Sequence, residues 1–141
     1  MRGGIAMQID LTSKEFRLLL DMVYIGNWVL NSTRGDDRFQ EYDSIESKLF
    51  GLCRENRMKV LVEKWNGEDV PSKAYVEGGI QEAIAYYEDN VFYEILAEEL
   101  SRRDMEYPVI NEENYDEIVT RMDRYMSEFQ ASGLDHLVLE E

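Results

Sequence analysis

Carboxylates are the one reactive group this chain has in quantity, so any chemistry has to be sought first in their spacing. Glu94 and Glu98 lie four residues apart with Glu99 beside them, and Glu112, Glu113 and Asp116 make a second group. Side chains four apart share a helix face, and carboxylate oxygens are the ligands that magnesium and calcium prefer. The spacing stops short of a dedicated site. Asn111 to Glu117 has no glycine at the sixth position of a calcium loop, and the stretch from Asn66 onward breaks that pattern at Val70. Solvated helix faces explain both groups, and the second also suits the positive end of a helix dipole. No metal and no cofactor is assigned; the acidic charge leaves a divalent cation possible as a partner, but nothing in the spacing supports one.

Nucleophilic catalysis would need a cysteine or serine beside a histidine. The single cysteine, Cys53, falls among apolar residues at helical spacing, where a free thiol behaves as a small hydrophobe. The single histidine, His136, follows Asp135 and reads as a surface or hydrogen-bonded residue. Gly78-Gly79 matches neither a phosphate loop nor a dinucleotide fingerprint. There is no HExxH, and one histidine cannot supply the paired Glu-x-x-His ligands of a di-iron bundle. No catalytic residue is assigned, and the chain reads as a non-enzyme more readily than as an enzyme.

Aromatic residues are the other feature with binding chemistry. Trp65, Tyr75, Tyr86, Tyr87, Tyr93 and Tyr107 crowd the middle of the chain among Glu82, Glu88, Asp89 and Glu94. Tyrosine and tryptophan combine large apolar area with a polar tip, which is why protein interfaces use them. These six are the candidate interface, although helical spacing turns some of them inward.

The elements that must position these groups are mostly helices. Thr12 and Glu15 have capping-box spacing ahead of a segment whose apolar residues, from Phe16 to Leu30, leave no wide polar face. A helix apolar nearly all round needs cover on several sides, from the rest of the chain or from a second copy. It is expected to be the central core helix. Its charges at Lys14, Glu15, Arg17 and Asp21 make it too short a greasy run for a membrane span. Asp37 and Gln40 predict the cap of a second helix, with Phe39, Tyr42, Ile45, Leu49, Leu52 and Cys53 as its buried face.

Beyond Met58 the pattern changes. Val60 to Val62 followed by Trp65-Asn66-Gly67-Glu68 fits a small hairpin or an irregular loop, with Pro71 confining any returning strand to an edge. A short helix over Ile80, Ala83, Ile84 and Tyr87 is expected to end before a second one capped at Asp89 or Asn90 and stopped by Pro108. The last helix starts at Asn114 or near Asn111, buries Tyr115, Ile118, Val119, Met122, Tyr125, Met126 and Phe129, and ends at Gly133. Ile5 to Leu11 alternates apolar and polar residues, and His136 to Glu140 reads as a closing strand, with Leu134 to Leu139 as the segment that could pair with the first. Pairing of these two segments would give the chain ends a small sheet.

Two stretches, LTSKEFRLLLDMVYIGNWVLNS and DNVFYEILAEELSRRDM, resemble a family of small acidic bacterial proteins of unassigned function. The resemblance covers about half of the chain and implies a bacterial cytosolic origin and a mainly helical domain; it implies no activity.

The expected fold is therefore mainly α. It is a single-domain bundle of four to five helices over residues 5–141, with a small sheet or hairpin from the termini and the 58–71 region. Residues 1–4 form a loose end, and Met7 is an alternative start to Met1. With 30 acidic against 15 basic residues and a formal charge of −15, the chain repels nucleic acid and anionic membranes. The N-terminus has no apolar run of the kind a secretory signal needs, so a cytoplasmic location is the expectation. The leading functional expectation is a non-catalytic protein-interaction or self-associating module. The alternatives are an acidic mimic of nucleic acid that occupies a DNA- or RNA-binding protein, and a carboxylate- or metal-dependent enzyme.

Overall fold

The computed structural model describes residues 4–141; of the loose end expected over residues 1–4, residues 1–3 lie outside the described part. Among the described residues the fold is mainly α, with four long helices and one two-stranded antiparallel sheet. Packing divides the chain into two compact units, Met1–Ile84 and Ala85–Glu141.

In the first unit, α1 (Ser13–Asn31) opens with the capping box its sequence predicts. The Glu15 backbone N–H donates to Thr12 Oγ1 at 3.1 Å and the Thr12 N–H donates to Glu15 Oε1 at 2.9 Å. α1 is not buried all round, however. Phe16, Leu20, Asn27 and Asn31 face inward, while the residues half a turn away from that line are exposed. α2 (Gln40–Gly51) starts two residues later than a cap at Asp37 would place it, and without that cap. Phe39 is the cap residue and Asp37 instead accepts from the Gly35 N–H and from Arg34.

The face of α2 also departs from expectation. Tyr42 and Ile45 are exposed, and the inward line runs through Asp43, Glu46, Phe50 and Cys53. Two acidic residues on the inward line hide it from an apolar-periodicity reading. They are tolerated there because α1 supplies their hydrogen-bond donors.

β1 (Val62–Trp65) and β2 (Glu68–Pro71) form the hairpin, in register Val62↔Pro71 to Trp65↔Glu68. Asn66 and Gly67 both take positive φ, +50° and +80°, as a two-residue turn of the primed type requires. A single helical turn, α3 (Lys73–Tyr75), is capped by the Ser72 hydroxyl. The core of this unit joins Phe16, Leu20, Phe50, Cys53, Val62, Tyr75 and Ile80. Cys53 is buried within it, and burial pushes its thiol up, as befits a packing residue.

α4 (Gln81–Asp104) follows Gly79, whose φ of +116° marks the break from the preceding turn. It runs without interruption through Asp89 and Asn90, where a new helix was expected. Asn90 turns its amide back onto the Tyr86 carbonyl at 2.6 Å instead of capping. The helix ends before Pro108. The Tyr107 N–H reaches the Arg102 carbonyl and the Glu106 N–H the Arg103 carbonyl, with Glu106 left-handed at φ +62°. That is a Schellman motif with a glutamate in the place glycine favours.

In the second unit, α5 (Tyr115–Ser132) follows a turn in which the Asn111 side chain accepts from the Glu113 and Asn114 N–H groups. It ends at Gly133 with φ +56°. Ala97, Leu100 and Phe129 are buried there, with Tyr93, Leu96, Met122, Tyr125 and Met126 against them. Tyr115 and Val119, expected in the core, are exposed.

The expected sheet between the chain ends is not formed. Residues 5–11 and 134–139 take no strand pairing, and Ile5, Met7, Ile9, Val138 and Leu139 are largely exposed. Alternation specifies which side chains would share a face, not that a partner strand is within reach.

Candidate functional site

The informative site is built on α1, which carries different chemistry on its two sides. Its inner side is a polar ladder. Asn31 donates to the Asn27 side-chain oxygen at 2.7 Å, and Asn27 in turn donates to Asp43 Oδ1 at 2.9 Å and Glu46 Oε2 at 3.1 Å. Asn31 also takes the Phe39 N–H at 2.8 Å and gives a hydrogen bond to the Phe39 carbonyl at 3.1 Å, pinning the start of α2. Arg38 holds Asp43 through two nitrogens at 3.0 and 2.8 Å and keeps that carboxyl below the usual range. Burial has the opposite effect on Glu46, raising its pKa against the lowering pull of Asn27.

This ladder opens into a cleft of about 520 Å³ between α1, α2 and the hairpin. Tyr24, Trp65, Val70, Pro71 and Val76 form apolar walls, and Asp43, Glu46, Glu68 and Asp69 bring carboxylates to them. Asp69 is occupied by Arg54 at 3.0 Å and Lys64 at 3.2 Å.

The outer side of α1 is apolar. Leu18, Met22, Ile25 and Val29 follow one another at four, three and four residues, opposite the inward line. They are 54%, 71%, 36% and 69% exposed. No charged residue lies between Met22 and Leu30 to relieve the stripe.

The six aromatic candidates do not form one group. Tyr75 is only 2% exposed, edge-on to Phe50 and Tyr24, with its hydroxyl donating to Asp21 at 2.8 Å, so it is a core residue and cannot meet a partner. Burial and that carboxylate raise the Tyr75 phenol far above its ordinary pKa. Tyr93 packs on Phe129 in the second unit. Trp65 stands exposed at the end of β1, and Tyr86, Tyr87 and Tyr107 are exposed in the second unit.

The other sequence candidates stay apart from these sites. Glu98 pairs with Arg102 along α4 at 3.1 Å, and Glu112, Glu113 and Asp116 are exposed around the start of α5. The His136 ring meets the Glu128 carboxylate at the surface. Among the described residues no three His, Cys, Asp or Glu side chains are grouped to hold a metal, and no helix is long and apolar enough to cross a membrane.

Sequence reasoning missed Asn27, Asn31, Asp43 and Glu46. The signal was present: two asparagines four apart in an otherwise apolar half-helix, and two acids three apart in phase with Phe50 and Cys53. Comparison with family models, curated proteins and solved structures finds no match.

Proposed function

We propose that this chain is a non-catalytic, self-associating module whose contact surface is the outer face of α1. The observation that carries the proposal is the stripe Leu18–Met22–Ile25–Val29 on a helix whose opposite face already fills a core. An apolar stripe about three turns long gains nothing from water, and a second copy offers the same stripe in reverse about a two-fold axis. In that pairing Leu18 meets Val29 and Met22 meets Ile25, while the helix dipoles run antiparallel.

The second reading, an acidic mimic of nucleic acid, ranks lower: it draws on the formal charge of −15 alone, which solubility also explains. The carboxylate enzyme also ranks lower, since the residues lining the cleft with the raised Glu46 include serines but no histidine to activate them.

Methionine oxidation tests the proposal. Met22 and Met7 are both exposed in a single chain. Peroxide should oxidise Met7 at a rate independent of protein concentration and Met22 progressively more slowly as concentration rises. Equal, concentration-independent rates at both would refute self-association through α1.

A further inference from the structure

We infer that the cleft between α1, α2 and the hairpin is a receptor for a guanidinium group, the side chain of an arginine presented by a basic peptide. The argument begins with which charges in the cleft are already matched. Arg38 is matched to Asp43, and Asp69 is held by Arg54 and Lys64. Among the described residues neither Glu46 nor Glu68 has a basic side chain within ion-pair distance: Arg38, in the same cleft, acts on Glu46 only at longer range, and Glu68 accepts from the Ser47 hydroxyl at 3.5 Å.

Glu46 is fixed in position. Its Oε2 accepts from Asn27 at 3.1 Å, Asn27 is itself held by Asn31, and among the described residues no donor reaches Oε1. A carboxylate held this way at the edge of a core stays partly desolvated and unmatched until a cation arrives.

The walls choose among cations. Trp65 and Tyr24 both line the same cavity, and a planar guanidinium stacks on such rings while its N–H groups reach carboxylates in the ring plane. A hydrated inorganic ion would gain nothing from Trp65, Val70 and Pro71. The volume of about 520 Å³ suits a side chain with its flanking peptide groups. The acidic balance of the whole chain, −15, attracts a basic peptide over distance. This site does not depend on the proposed self-association, because Tyr24 points away from the outer stripe of α1.

The probe is N-acetylarginine amide, titrated while the indole N–H resonance of Trp65 is followed by NMR, with N-acetylcitrulline amide as the neutral isostere. The arginine probe should give a saturable shift, and the citrulline probe should bind at least about tenfold more weakly. Glu46→Gln keeps the hydrogen bond from Asn27 and should also weaken the arginine probe by about tenfold, with circular dichroism unchanged. Trp65→Ala, at an exposed hairpin position, should weaken it as well, followed through the shifts of Val70 and Val76. Equal binding of arginine and citrulline probes, or full affinity in a folded Glu46→Gln protein, overturns the assignment.

Discussion

The two units use the same materials to different effect. In Met1–Ile84 the core draws on α1, α2, the hairpin, α3 and the turn after it, so residues far apart in sequence meet and Tyr75, Phe50, Leu20 and Cys53 are fully enclosed. In Ala85–Glu141 the described core is the seam between α4 and α5, with Ala97, Leu100 and Phe129 buried and half-buried tyrosines and methionines around them. A core closed from several directions resists loss of one element, whereas a two-helix seam does not. The first unit is therefore the stable frame, and a surface feature on it, such as the outer stripe of α1, is rigid enough to be recognised.

That contrast can be broken most forcefully at Phe50. Phe50→Ala removes a ring enclosed on all sides and should cost about 3–5 kcal/mol. Both tryptophans, Trp28 and Trp65, lie in the first unit, so urea unfolding followed by tryptophan fluorescence reads it directly. Asn27→Ala comes next, at about 1–3 kcal/mol by the same assay, since it strips Asp43 and Glu46 of a buried donor.

The second unit offers the opposite sign. Ser101 is fully buried in α4, and its hydroxyl is without a hydrogen-bond partner among the described residues. Ser101→Ala should therefore stabilise by about 1 kcal/mol, read as a higher midpoint in circular dichroism. Glu106→Gly, which relieves the left-handed cap, should add about 0.5–1 kcal/mol.

The smallest effect is a pH dependence within the ladder. Burial places the folded pKa of Glu46 above its unfolded value, so its contribution to stability is complete below the unfolded pKa and is lost as pH rises through the folded one. Asp43, lowered by Arg38, contributes above its unfolded pKa and loses that contribution as pH falls through the folded one. Glu46→Gln should consequently match the native chain in acid and exceed it near neutrality, by less than about 1 kcal/mol.

Local signals were readable in the sequence and non-local ones were not. Thr12 with Glu15, Asn66 with Gly67, and Gly133 each act through their own backbone, and each does in the structure what its type dictates. The face of α2 was misassigned because its inward acids are made tolerable by asparagines on another helix, a pairing that periodicity cannot register. Asp89 and Asn90 looked like a helix start, yet with no glycine or proline between Gln81 and Asp104 nothing forces a break. Tyr75 resembled the exposed tyrosines in composition alone; its place in the core follows from a long-range contact with Phe50 and Tyr24.

The central claim is that a second copy covers the outer face of α1, and sedimentation equilibrium of the native chain beside Met22→Glu tests it most directly. At micromolar concentration the native chain should sediment at twice its chain mass, and Met22→Glu, with unchanged circular dichroism, at the mass of one chain. A native protein that sediments as a single chain, or a Met22→Glu protein that stays paired, would contradict it.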